Sequence, residues 1–444
     1  MDTLPLPPRP NLGQYKKRAK SLVAAAQSDD PNAVRRCAAE WLESLVALLG
    51  AAPSEFVRRS IDRAAKHIVD QVAAKRRTGD RVDRFTLADA QFLIADAHGF
   101  ENWAAFVRHI GGDPELDAPD AEFARAADAI VHGDLETLVA LVSANPGLIR
   151  ERSSRVHHAT LLHYLAANGV EDFRQKTPRN AVEIARFLLD AGAEPDALAD
   201  TYRADALQTT MNLLVSSAHP AAAGLQSPIA EALLDHGAAV NGVADDESPL
   251  MTALQFGYID SAETLARRGA RVDTVVAAAA LGRLEQVRAM IVDAKTLEPG
   301  VPLVSTGWSA LPHDPRVHIE LALAWACKFA RPQVALFLLD LGVNPSAMDA
   351  NKMTALHWAG ANGMMSVIEE LVRRGVSLEV ENAWQGTVLN STLHFALFMP
   401  VQGVDYLPVL ERLLQAGANV HVVDYPTGKA LIDDLLARYG AVKR

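Results

Sequence analysis

Cysteine is scarce in this 444-residue chain, which has only Cys37 and Cys327, far apart in the sequence. Two such cysteines make neither a disulfide framework nor a cysteine-built zinc site, so we expect a reduced, cytoplasmic compartment. Positive charge is not in excess either, since 43 Lys and Arg stand against 54 Asp and Glu, a net charge of −11. An acidic chain offers no electrostatic case for a nucleic acid or an anionic membrane as partner.

Long apolar runs are also missing. The run over residues 22–26 is too short for a signal-peptide core. The longest charge-free stretch, residues 206–230, contains Pro220, Pro228 and several hydroxyl side chains, which are costly in hydrocarbon. We therefore predict no membrane-spanning segment, and the prolines of residues 1–10 predict a disordered start.

Charge and helix-breaking residues divide the chain near residue 112. Residues 1–112 carry 17 Lys and Arg against 13 Asp and Glu, whereas the remainder carries 26 against 41. Glycine and proline between residues 111 and 119 interrupt any helix. We predict a small helical N-terminal domain over residues 11–112, in which apolar residues have helical spacing over residues 12–26, 32–49, 54–75, 86–95 and 99–106.

A basic face on the third of these helices raises the alternative of a nucleic-acid surface. It carries Arg58, Arg59, Arg63 and Lys66. Acidic residues are interleaved with them, which favours an ordinary solvated face. We therefore do not expect a nucleic acid as partner.

The region beyond residue 121 repeats itself. An apolar helix ends at a glycine in six places, and the glycines are 45, 32, 73, 33 and 42 residues apart: Gly192, Gly237, Gly269, Gly342, Gly375 and Gly417. Glycine adopts the left-handed conformation that caps a helix. The spacing indicates a structural repeat of about 33 residues with insertions.

Short strings before these glycines identify the kind of repeat. Thr354-Ala355-Leu356-His357, Thr160-Leu161-Leu162-His163 and Ser248-Pro249-Leu250 open helices, and tails such as Gly237-Ala238 follow the glycines. The pattern resembles the ankyrin repeat over residues 121–440. The resemblance implies an all-α, ankyrin-type helical solenoid of about eight degenerate repeats, with a C-terminal cap helix and the helical N-terminal domain in front. The string Leu87–Ile94 with Gly99-Phe100 is similar to helical segments that precede bacterial ankyrin arrays, so we expect a bacterial protein.

The resemblance also indicates a binding surface. In ankyrin repeats the residue after the opening histidine faces the concave groove, a position that we assign to Tyr164, Trp325, Trp358 and Phe395 among others. Aromatic residues dominate binding hot spots, so we predict these four, with Trp308 and Trp384, as binding residues. His163, His357 and His394 would bond to backbone in the turns. The alternative, that some of the aromatic side chains lie under an insertion as core, stays open.

Four insertions lengthen the repeats. Three fall between the two helices of a repeat, at residues 170–180, 218–228 and 399–407, and one falls between repeats, at residues 298–317. We expect the first three along one edge of the array, where they either take part in binding or are tolerated drift.

No catalytic motif is recognised, and the 14 histidines show no metal-ligand spacing, so no catalytic residue, cofactor or metal is predicted. The leading hypothesis is a scaffold that binds another protein or peptide, favoured to be basic, through the aromatic groove and the edge insertions. The alternative is an enzyme or small-molecule binder whose pocket is the groove roofed by the insertions, with His313, His318 and Glu320 nearby.

Overall fold

The computed structural model describes residues 4, 6, 10–48, 55–75, 85–110, 119–201, 207–246, 248–304 and 311–443. In its regular secondary structure the chain is helical there, apart from two small sheets of two strands each. It divides into two compact units, Met1–Ala239 and Val240–Arg444. The domain boundary predicted near residue 112 lies inside the first unit, in a segment outside the described residues, and stays a prediction.

The first unit opens with five helices close to those predicted: α1 (Leu12–Gln27), α2 (Ala33–Leu48), α3 (Glu55–Lys75), α4 (Leu87–Ala97) and α5 (Trp103–Ile110). Their apolar faces bury Tyr15, Trp41, Phe100 and Phe106 in one core. Part of the start predicted to be disordered is tied to this core, because Leu4 N donates to Ala97 O at 2.7 Å and His98 Nδ1 donates to Leu4 O at 2.9 Å.

Three helical hairpins complete the first unit. They are α6 (Pro119–His132) with α7 (Leu135–Ala144), a 3-10 helix (Leu161–Ala166) with α8 (Ala181–Asp190), and α9 (Thr210–Leu214) with α11 (Gln226–Asp235), the short α10 (Ala218–Ala222) preceding α11. Strands β1 (Leu198–Ala199) and β2 (Gln208–Thr209) pair antiparallel between the second and third hairpins. Further 3-10 turns lie at Pro146–Ile149 and Asp172–Arg174.

The second unit contains five hairpins and a final helix. The hairpins are α12 (Ser248–Phe256) with α13 (Ile259–Arg267), α14 (Val275–Ala280) with α15 (Leu284–Met290), α16 (Pro315–Lys328) with α17 (Pro332–Asp340), α18 (Ala355–Ala361) with α19 (Met365–Arg373), and α20 (Val388–Phe398) with α21 (Tyr406–Gln415). A 3-10 turn (Val420–Val422) and α22 (Ala430–Arg438), the predicted cap helix, follow. Strands β3 (Ile291–Asp293) and β4 (Thr296–Leu297) form a hairpin after α15.

Within each unit, a hairpin buries its apolar face against the next hairpin in sequence. In the second unit the first helices α12, α14, α16, α18 and α20 pack in succession. Small residues permit this: α14 is fully buried, and a Cβ at Gly360 of α18 would overlap the Thr392 hydroxyl of α20. The described residues thus contain three successive hairpins in the first unit and five in the second, which confirms the predicted all-α repeat fold.

The signals that predicted the repeat have the expected local structure. Thr354 and His357 form a capping box, in which His357 Nδ1 accepts from Thr354 N at 3.2 Å and His357 Nε2 donates to Gly386 O at 3.4 Å. His163 forms the same box with Thr160. The six helix-ending glycines all have φ between 73° and 98°, a region that a side chain with a Cβ rarely adopts.

The insertion at residues 170–180 is not a free edge loop but folds onto the first unit through a buried carboxylate. Glu171 Oε1 lies 3.4 Å from Arg174 Nη1, 3.4 Å from His157 Nε2 and 3.6 Å from Arg155 Nε. Arg174 also pairs with Asp128 of α6 at 2.8 Å, and Arg155 donates to His98 O. The cluster therefore joins the N-terminal helices, the first hairpin and the insertion.

Burial alone would raise the pKa of Glu171, but His157, Arg174 and Arg155 more than offset it and hold that pKa far below its usual range. A carboxylate with a depressed folded pKa stabilises the protein above its unfolded pKa of about 4.3, and this stability declines as pH falls below that value.

We predict that Glu171→Gln lowers the free energy of unfolding of the first unit by about 3–5 kcal/mol at pH 7, because it leaves buried guanidinium groups with less compensating charge. The measurement is urea unfolding together with hydrogen exchange of peptides from α6 and residues 153–174. The control is Glu136→Gln, on the exposed face of α7. Exchange unchanged from the parent, or a loss that does not shrink as pH falls from about 4 to about 2, would contradict the assignment.

Candidate functional site

A row of aromatic side chains runs across three consecutive repeats of the second unit. It is made of Trp325 on α16, Trp358 on α18 and Phe395 on α20, and is called the aromatic row below. The Trp358 and Phe395 ring centroids are 6.1 Å apart and meet edge to face. Lys328 Nζ lies 5.1 Å from the Trp325 ring centroid and 5.9 Å from that of Trp358. The ammonium thus joins the two tryptophans, and the structure brings these three predicted residues together.

Exposure increases along the aromatic row towards α20. Trp325 is only 7% exposed, whereas Trp358 and Phe395 are half-buried. At the end of α20, Phe398 and Met399 are 72% and 59% exposed, and His394 links Phe395 to Phe398 through ring contacts. The accessible part of the surface is therefore Trp358, Phe395, Phe398 and Met399.

The Trp358 ring is held in place by the loop in front of its own helix. Its Nε1 donates to Asp349 Oδ2 at 2.9 Å, and Asp349 Oδ1 accepts from the backbone N of Asn351 and Met353, both at 2.9 Å. The indole N–H of Trp358 thus has its acceptor, and this bond fixes the orientation of the ring. What a partner meets is the ring itself, already ordered, so little side-chain entropy remains to be lost on binding.

Lys328 links its own repeat to the repeat of α12, two hairpins earlier in the chain. Its ammonium donates to Leu254 O at 3.0 Å and Gln255 O at 2.7 Å, at the C-terminal end of α12. Burial lowers the pKa of Lys328 to about 8, and the carboxylate of Asp349 opposes that shift. Sequence reasoning missed this residue, whose one signal is a lysine at the end of the apolar stretch 321–327.

A small cavity of about 100 Å³ lies beside Trp325 and Lys328. The insertion at residues 298–317 supplies Val304 and Leu311 to its wall, while Met251 and Gln255 line another side. Trp325 therefore lies under an insertion, the alternative that the sequence left open for some of these aromatic side chains.

The polar residues that were predicted near a ligand pocket lie elsewhere than in the lining of this cavity. His318 is buried and holds the insertion, because its Nδ1 accepts from Val304 N and its Nε2 donates to Pro312 O, both at 3.2 Å. His313 is exposed and Glu320 is half-buried. Among the described residues that line the cavity, neither these two nor His318 appears.

The other predicted binding residues are not part of the aromatic row. Tyr164, in the first unit, is fully buried and its hydroxyl donates to Glu171 Oε1 at 3.4 Å, so it is a core residue with no surface for a partner. Trp384 is 70% exposed on the loop before α20, and this loop bonds to the preceding one through Ala383 N and Asn351 O at 2.9 Å. Trp308 lies outside the described residues, as do the side chains of Arg58, Arg59 and Arg63.

One histidine assignment was wrong. His394 is exposed, in the second turn of α20. The position equivalent to His357 belongs to Asn390. Its backbone N donates to the capping Thr387 Oγ1 at 3.4 Å, and its side-chain Nδ2 donates to Val422 O at 3.3 Å. Counting back from the closing glycine misplaced the residue because α20 is longer than the repeat standard and the insertion at residues 399–407 follows it. Phe395 joins the aromatic row from one helical turn further along.

Comparisons with known proteins agree with this geometry. Residues 323–372, which include Trp325, Lys328 and Trp358, match a family model described as "Ankyrin repeats (many copies)". This part of the chain thus matches ankyrin repeats, the family that the sequence pattern predicted. The bacterial origin stays a prediction.

Two solved structures are similar to the chain. The ankyrin repeat domain of Bcl-3, described as a unique member of the IkappaB protein family, has 20% sequence identity and a TM-score of 0.29, over 67% of this chain and 98% of its own. The human ASB11 ankyrin repeat domain has 20% identity and a TM-score of 0.27, over 59% of this chain and 99% of its own. The search of curated proteins found no match. Within the part of the chain that the structure describes, no helix combines the length and apolarity needed to cross a membrane.

We predict that Lys328→Met changes how the stability of the second unit depends on pH. Because the pKa of Lys328 is about 8 when folded and 10.5 as a model value, between these pH values the unfolded chain holds a proton that the folded chain has lost. The free energy of unfolding of the parent should therefore rise with pH relative to the variant, by on the order of 3 kcal/mol from pH 8 to pH 10.5.

The measurement is urea unfolding of the parent and of Lys328→Met at intervals over that range. The control is Lys429→Met, which removes an exposed ammonium in the same unit. Parallel pH profiles for the parent and Lys328→Met would contradict the burial of this charge.

Proposed function

We propose that this ankyrin-repeat protein is a scaffold that binds an extended segment of another protein along the aromatic row. The observation that carries the proposal is the contact of Trp358 with Phe395 across two repeats, at 6.1 Å between ring centroids. The exposed side chains of Phe398 and Met399 continue the same apolar surface. An exposed apolar surface of this kind marks an interaction site more often than it marks ordinary protein exterior.

The energetics of such a surface favour a protein ligand. Aromatic side chains dominate binding hot spots, and truncating one typically costs about 2 kcal/mol or more. Trp358 is suited to this role because its hydrogen bond to Asp349 orients the ring before the partner arrives. The cavity beside Trp325 would receive one side chain of the partner, since its volume of about 100 Å³ is well below the roughly 300 Å³ at which small-molecule sites begin.

Charge favours a partner segment that contains Lys or Arg. Residues 240–444 carry 22 Asp and Glu against 17 Lys and Arg, so the unit that bears the aromatic row is acidic. Opposite charge on the partner speeds association at low salt. The open faces of Trp358 and Phe395 also suit cation–π contact with such a side chain. We place this interaction in the cytoplasm, because both cysteines are unpaired.

The exposed insertion at residues 399–407 extends the proposed surface beyond the groove. Met399 begins it, and Tyr406 anchors its end by donating from its hydroxyl to Ala361 O at 2.8 Å. Trp384 lies on the loop before the same helix. The partner segment would thus contact both ends of α20.

We predict that Trp358→Ala weakens peptide binding by about 30-fold, the equivalent of about 2 kcal/mol. The experiment selects 12-residue peptides from a phage-displayed random library on the full chain. It then measures the affinities of synthetic copies for the parent, Trp358→Ala and Phe395→Ala by fluorescence polarisation. Selected peptides should be enriched in Lys and Arg, and their affinity should fall as salt rises.

The matched control is Val292→Ala, an exposed apolar residue on β3 of the same unit. It should leave the affinities unchanged. Selection that yields no binding peptide, or peptides that bind Trp358→Ala as tightly as the parent, would overturn the proposal.

A further inference from the structure

A second cavity lies between α1, α2 and α4 of the first unit, remote in sequence from the aromatic row. Its volume is about 240 Å³. The apolar part of its lining is Leu22, Ala38, Trp41 and Ile94, and the polar part comes from Arg18 and Ser21 on α1 with Cys37 and Glu40 on α2. An apolar interior with a few polar groups at one side is the usual form of a small-ligand site.

Arg18 is a half-buried cation with no counter-ion among the residues that the structure describes. Its guanidinium donates to Ser44 Oγ at 2.5 Å, and among the described residues no carboxylate forms an ion pair with it. Burial lowers the pKa of Arg18, against the opposing influence of Tyr15 and Cys37. A charge removed from water is costly unless an opposite charge and hydrogen bonds compensate it. An anion in the cavity would supply that compensation.

Trp41 provides a second, independent sign of a missing ligand atom. Its side chain is only 5% exposed and forms part of the cavity lining. Its Nε1–H has no acceptor among the described residues. Buried indole N–H groups normally find a partner, so a polar atom of a ligand near this ring would satisfy a donor that the protein itself leaves unmet.

We propose that this cavity binds a small monocarboxylic acid with an apolar body. The carboxylate pairs with the Arg18 guanidinium, and the apolar body packs against Leu22, Trp41 and Ile94. The volume limits the ligand to a short aliphatic or single-ring acid, because it is below the roughly 300 Å³ of the smallest drug-sized sites.

Glu40 limits the negative charge that the ligand can carry. It is exposed at the rim and acts on Arg36 and on the Cys37 thiol, whose pKa burial raises and Glu40 raises further. A second negative charge on the ligand would be repelled by this carboxylate. The site should therefore prefer a monocarboxylate to a dicarboxylate or a phosphate.

The test is isothermal titration calorimetry of the full chain with hexanoate and 3-phenylpropionate. The matched probes are hexanamide, which lacks the charge, and adipate, which has two. We expect a Kd of about 1 mM or lower for at least one monocarboxylate, and affinity at least tenfold weaker for the amide and for adipate. In protein with ¹⁵N-labelled tryptophan, the Trp41 indole resonance should shift on binding and the Trp358 resonance should not.

Arg18→Gln should weaken monocarboxylate binding at least tenfold, and Lys17→Gln, an exposed charge on the same helix, should leave it unchanged. Since Arg18 also bonds to Ser44, circular dichroism checks that the variant folds. A second experiment uses the parent protein. The bound acid should slow alkylation of Cys37 by N-ethylmaleimide at least threefold. Absence of binding by both acids, equal binding of acid and amide, or binding without Cys37 protection would each overturn the proposal.

Discussion

The structure depends on one constraint: a hairpin of two short helices cannot bury its apolar face by itself and must pack that face against the neighbouring hairpin. In the second unit this brings the first helices of successive repeats into direct contact, with alanines in α14 and Gly360 in α18 permitting the approach. Each repeat then presents side chains at nearly the same place as the one before. The aromatic row is a consequence of this stacking, since Trp325 and Trp358 occupy equivalent positions on α16 and α18.

The insertions lengthen the repeats without preventing the repeats from packing, because each insertion makes contacts of its own within its unit. The insertion at residues 170–180 buries Glu171 among cations from two parts of the first unit, Arg155 and His157 in one segment and Arg174 in the insertion itself. The insertion at residues 298–317 is fastened by His318 and covers one side of Trp325. Lengthened connections in this protein therefore decide which parts of the repeat surface remain accessible.

Lys328 and Arg18 are both cations that burial removes from water, but the groups that surround them differ. Lys328 is compensated from within, by two carbonyl oxygens and the faces of the neighbouring rings, so it serves the architecture of the aromatic row. Arg18 has a single hydroxyl as its described partner. The physical difference is compensation: a satisfied charge stabilises its site as built, whereas an unsatisfied one favours a ligand.

The sequence by itself determined the elements and their repetition, because these depend on neighbours close along the chain. The capping Thr354 and His357 and the glycines after each hairpin act within a few residues, and the structure has them as predicted. Exposure was decided only by the tertiary structure. Tyr164 and Trp358 both follow a capping histidine. Tyr164 is nevertheless buried in the core next to the folded insertion, whereas Trp358 is only half-buried. The same holds for Lys328 and Asn390, whose roles arise from contacts with α12 and with the loop after α21, which are distant in sequence. Local periodicity carries no information about such contacts, since they form only when separate segments pack together.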